Sequence, residues 1–130
     1  MAFVENFVPY LAGVGSSLVT FDEDSDGAED FVGNCLLYAA EVVTAISLDE
    51  DVPPLPDFFL DEDGESKFFG SLSTGLRLTI QTVSAVLTIV QFQLAFSNRK
   101  ASQVFRYINQ VLRAVLAGKI VPEAPAELTT

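Results

Sequence analysis

Between Asp22 and Asp30 the chain reads D-E-D-S-D-G-A-E-D, which sets Asp22, Asp24, Asp26 and Asp30 at the first, third, fifth and ninth positions of a loop that turns at Gly27. Carboxylates at this spacing are the ligand set of an oxygen-bound cation, and calcium takes roughly six to eight such oxygens. The series breaks at the twelfth position, where a bidentate Glu would close the shell and Gly33 stands instead. The same acids suit a second task. Asp26, Glu29 and Asp30 lie at the start of an apolar stretch, where negative charge favours the positive end of a helix and Asp26 has the spacing of an N-cap with Glu29 three residues on. Helix capping by Asp26 is the expected role, with weak or no calcium binding at Asp22, Asp24, Asp26 and Asp30.

A second constellation is basic. Arg99, Arg106 and Arg113 recur every seven residues, and seven residues are nearly two helical turns, so the three guanidinium groups fall in one row. Such a row is either a solvated face or a docking strip for carboxylates or phosphates, which guanidinium groups bind bidentately. No acid shares this stretch, so the row lacks the neighbours that neutralise charge along a helix. Its partners are expected in the acidic half of the same or a neighbouring chain, with Asp49, Glu50, Asp51, Asp61, Glu62 and Asp63 as the supply.

Most catalytic arrangements are missing. With no His and a single Cys, the chain supplies no imidazole base, Cys–His dyad, zinc site or internal disulfide. Its acids cluster in loops without His, Ser or Lys partners, so a non-enzymatic protein with no catalytic residue and no cofactor beyond a possible calcium ion is expected. The net charge of -11 is sorted along the chain. Sixteen of the eighteen acids precede Phe68, together with Lys67 alone; from Phe68 to Pro122 every charge is basic. Sorted charge of this kind implies that the halves fold onto each other or that the basic part of one copy meets the acidic part of the next.

The elements that position these residues are read from periodicity. At 130 residues and 49% hydrophobic content the chain has one domain's length and enough apolar residues for one core. Residues 3–20 form a first apolar segment, weakened as a helix by Pro9, Gly13 and Gly15, and residues 27–48 a second. Acidic loops are expected at 21–27 and 49–66, the latter barred from helix by its prolines. Over residues 68–97, Leu76, Ile80, Val83, Leu87, Val90 and Leu94 alternate in steps of four and three, the seam of a long central helix. The β-like alternation of LRLTIQT and VQFQLAF competes with that reading, but no Gly or Pro between residues 76 and 117 supplies a turn. Residues 99–117 form the cleanest helix, with Val104, Ile108, Val111 and Val115 on one stripe, and Gly118 and Pro122 ending it before a short tail at 121–130. The expected fold is all-α, a bundle of three to four helices in a single domain.

Two further readings concern surroundings. The stretch Leu78–Asn98 is uncharged over the length of a bilayer crossing and is followed by Arg99 and Lys100, as a membrane span would be. Gln81, Gln91 and Gln93 make insertion costly unless neighbouring helices pair with them. The N-terminal stretch lacks the positive charge of a secretory signal, which makes a cytoplasmic location the expectation. The D-x-D-x-D-G-x-x-D stretch resembles short calcium loops of several extracellular proteins, which would imply calcium as a ligand. In charge order alone the chain is similar to filamentous phage coat proteins, which would imply a membrane-associated coat subunit. The function expected is a non-enzymatic structural or self-assembling homo-oligomer, its subunits packed through apolar helix faces with acid matched to base. The alternatives are a small acidic adaptor or chaperone for a basic or amphipathic protein partner, and the coat-like protein; a nucleic-acid partner is not expected.

Overall fold

Pro9 lies in the first turn of a helix, where its missing N–H has no intrahelical partner to lose, so the residue that seemed to weaken the first segment opens it. The structure is a computed structural model that describes residues 5–20, 27–59 and 69–129. Helix α1 spans Val8–Thr20, α2 Ala28–Ser47, α3 Thr74–Leu94, α4 Arg99–Ala117 and the short α5 Ala126–Thr129, with a 3-10 turn at Asp57–Phe59. The fold is an all-α bundle, with no strand among the described residues.

Helix α4 coincides with the expected 99–117. Helix α3 is shorter than the expected 68–97 because polar caps bound it. The Ser73 hydroxyl accepts from Leu76 N at 3.1 Å, and Asn98 Oδ1 accepts from Ala101 N at 3.1 Å to begin α4. Nor is α3 central: its seam from Leu76 to Leu94 is buried, but its opposite side is exposed. The deepest helix is α2, buried along Phe31, Val32, Cys35, Leu36, Ala39, Val42 and Val43. Its N-cap is Gly27, in the left-handed region at φ 75°, with no side-chain cap bond; this corrects the expected cap at Asp26, which lies outside the described residues.

The chain makes two helical hairpins, α1 on α2 and α3 on α4, joined chiefly where α2 meets α4. These hairpins are two versions of one structure, in register at a constant shift of 69 positions (38 to 107, 53 to 122). Tyr38 of α2 donates to Pro53 O at 2.8 Å, and Tyr107 of α4 donates to Pro122 O at 2.9 Å, each to a carbonyl 15 residues on. Each second helix ends in a left-handed residue, Asp49 at φ 62° and Gly118 at φ 70°. Glu50 N reaches Ala45 O at 2.8 Å as Lys119 N reaches Ala114 O at 2.9 Å. A Val-Pro-x-x-Pro strap follows in both, at 52–56 and 121–125, and its final turn buries Phe59 in one half and Leu128 in the other. The expected tail 121–130 is therefore a folded strap over residues 121–129. The acidic stretches are not equivalent under this repeat, since 21–26 lies within the first hairpin and 60–68 between the two.

The two hairpins close differently. In the first, Gly15 and Gly33 let the backbones touch: a Cβ on Gly15 would stand 2.8 Å from Gly33 O, and one on Gly33 2.8 Å from Gly15 O. At the equivalent places the second hairpin has Ser84 and Ser102. Ser84 Oγ donates to Asn109 Oδ1 at 2.5 Å, Asn109 Nδ2 to Thr88 Oγ1 at 2.8 Å, and Ser102 Oγ to Gln91 O at 3.1 Å. Aromatic rings tie the halves together, with Phe59 of the first strap 5.4 Å from Tyr107 and Phe31 5.0 Å from Phe69.

Candidate functional site: an uncharged outer face

Helix α3 carries a second stripe opposite its buried seam. Leu78, Thr82, Ala85, Ile89 and Phe92 follow each other by steps of four and three and share one face, and Phe96 continues the series in the turn that follows α3. All are exposed: Leu78 by 59%, Phe92 by 63% and Phe96 by 78%. Phe92 and Phe96 stack edge to face at 5.3 Å. Thr79 and Thr82 donate their hydroxyl protons to Gly75 O and Leu78 O, at 3.0 Å each, so their donor capacity is used within the helix. Gln81 and Gln93 flank the stripe on its two sides. Beside it runs α1, also without a charged residue from Val8 to Thr20. Between the two helices lies an open groove of about 670 Å³, walled by Pro9, Tyr10 and Gly13 on one side and Leu78, Thr79 and Thr82 on the other.

The residues singled out by sequence are distributed elsewhere. Arg99, Arg106 and Arg113 are all exposed along α4, in one row as expected. Among the described residues none of the three makes an ion pair with Asp49, Glu50 or Asp51, and Asp61, Glu62 and Asp63 lie outside the described residues. Arg106 borders a cleft of about 150 Å³ that also contains Glu127. Arg77 donates to Leu116 O at 3.3 Å, bracing the carbonyl end of α4. Of the candidate calcium ligands, Asp22, Asp24 and Asp26 lie outside the described residues. Asp30 stands in the first turn of α2, its carboxylate accepting from Asn34 Nδ2 at 3.2 Å.

No known family, curated protein or solved structure matches this chain.

Cys35 is fully buried. Burial pushes the Tyr38 phenol up to about 12, assisted by Glu41, and the Tyr107 phenol up to about 12, assisted by Cys35 and Glu123. Both stay neutral, as hydrogen-bond donors to the straps. In the sequence the stripe on α3 is masked by the charge-free length of residues 78–98. The available signal was the heptad-like series beginning at Leu78, two residues out of phase with the core seam.

Proposed function

We propose that the protein is a non-enzymatic, self-assembling helical subunit. The observation that carries this reading is the uncharged, partly apolar face of α3, with Leu78, Ile89, Phe92 and Phe96 in solvent on a chain of net charge -11. Large exposed apolar side chains aligned on one helix mark an interaction surface, whereas single scattered ones do not. A second contact between copies runs from the arginine row of α4 to the acidic residues Asp49, Glu50 and Asp51, which follow α2. Each exposed pair is worth under about 1 kcal/mol, so this contact sets register and orientation rather than supplying most of the affinity. No catalytic step and no resident cofactor belong to this function.

Changing Arg99, Arg106 and Arg113 together to Gln tests the second contact. The triple variant is expected to weaken higher assembly at low salt while leaving thermal unfolding nearly unchanged, and raised salt acts on the parent in the same way. If it assembles like the parent but loses binding to anionic lipid or nucleic acid, a coat-like role replaces this one. That membrane reading is supported by Thr74–Leu94, which is long and apolar enough to cross a bilayer and has only 33% of its apolar window buried.

A further inference from the structure

The exposed stripe of α3 is self-complementary. Residues equidistant from Leu87 on either side pair as Leu78 with Phe96, Thr82 with Phe92, and Ala85 with Ile89. In the two pairs nearest the middle a smaller side chain faces a larger one, the relation that lets facing helices interdigitate. Two copies of α3 laid antiparallel, with a twofold axis level with Leu87, would bring every one of these pairs into register. The same superposition sets the partner's Phe92 opposite Thr82 and the partner's Phe96 opposite Leu78. Thr82 and Leu78 form the α3 wall of the open 670 Å³ groove. Knob and hole thus lie on one surface, at matching distances from one axis.

We propose that the protein dimerises by antiparallel pairing of α3, each copy inserting its Phe92–Phe96 pair into the α1–α3 groove of the other. The occupant of the groove is a second copy of this chain. The arrangement is isologous, since each residue contacts on the partner the residue that contacts it. Three observations select a second copy over a lipid surface or an unrelated helix. The face carries no charge, so it is a place where two chains of net charge -11 approach without placing like charges against each other. Gln81 and Gln93 need hydrogen-bond partners when dehydrated and hydrocarbon offers none, whereas at the two edges of an antiparallel pair they stay in contact with water. The threonine hydroxyls already donate within the helix, so burying them costs little. This inference rests on the self-assembly reading and names its apolar contact.

The test uses the full chain at high salt, where the charge-matched contact is screened. The Phe92→Ala, Phe96→Ala double variant is expected to raise the dimer dissociation constant about a hundredfold or more with the helical circular dichroism unchanged, as befits exposed aromatic anchors. Ala85→Cys chains mixed with Ile89→Cys chains are expected to form a disulfide-linked dimer under mild oxidation. Neither variant alone should do so, because antiparallel pairing holds identical positions about 6 Å apart along the axis, beyond the Cβ–Cβ reach of a disulfide. Cys35 does not compete, being fully buried. If the parent dimerises at high salt but the mixed disulfide fails to form, or the double Phe variant dimerises as well as the parent, the antiparallel geometry is wrong and self-assembly stands. A parent that stays monomeric at every concentration overturns both.

Discussion

The two hairpins share a backbone plan and differ in the charge their helices show to solvent. The first carries Glu29, Asp30, Glu41, Asp49, Glu50 and Asp51; the second carries Arg77, Arg99, Lys100, Arg106, Arg113 and Lys119. At equivalent positions Asp30 answers to Arg99 and Glu50 to Lys119. The outer helix of the first hairpin offers Pro9, Gly13 and Ser16 where that of the second has Leu78, Thr82 and Ala85. Residues that hold the plan stay alike: the strap-binding tyrosines, the Val-Pro-x-x-Pro straps and the left-handed helix ends. One scaffold thus tolerates opposite charge and opposite relief, because its stability resides in the buried side of each helix and in the strap.

The crossing within each hairpin is where the comparison is easiest to break. Gly15→Val is expected to cost about 3 kcal/mol or more, since its Cβ meets the Gly33 carbonyl and the two backbones must part. The equivalent Ser84→Ala leaves space untouched and removes one partner of Asn109, for a loss of about 1–3 kcal/mol. Urea denaturation of the two variants measures the difference, and equal losses would mean that the crossings are held in the same way.

The tyrosines sharpen the likeness. The unfolded phenol releases its proton near 10, while Tyr38 and Tyr107 in the folded chain hold theirs to about 12. Between these values the unfolded chain binds fewer protons than the folded one. Stability is therefore complete below pH 10 and falls as pH rises toward about 12. Urea midpoints measured across this window should decline, and the decline should flatten in the Tyr38→Phe, Tyr107→Phe double variant. A single Phe variant in either hairpin should remove part of it.

The smallest expected effects are at the helix ends. Gly118→Ala forces a Cβ into the left-handed region and should lower stability by about 1 kcal/mol. Asp49→Gly, at the equivalent place, should raise it by several tenths of a kcal/mol, because the strain is already present there. Thermal melting of the two variants gives shifts of opposite sign.

Much of this was legible in the sequence. The buried seam of α3 from Leu76 to Leu94 and the stripe of α4 each repeat strictly, and Gly118 marks a stop. The ends of α3 were less legible, since Ser73 and Asn98 are ordinary polar residues until a helix is seen to begin after them. The repeat was hidden for a different reason. Its matching residues, Tyr38 with Tyr107 and Pro53 with Pro122, are few and scattered, and the two acidic stretches, alike in composition, do not share its spacing. The Asp26 cap failed because Gly27 alone relaxes into the left-handed turn before α2. The outer stripe is hard to read because apolar residues on both sides of α3 blur the contrast that marks an amphipathic helix.

The central claim, that copies of this chain meet through the uncharged face of α3, is tested most directly by sedimentation equilibrium of the parent protein at high salt over a range of concentrations. The mass is expected to rise with concentration toward twice the 14.1 kDa of one chain and not to be lowered by further salt. A mass fixed at that of one chain throughout would contradict it.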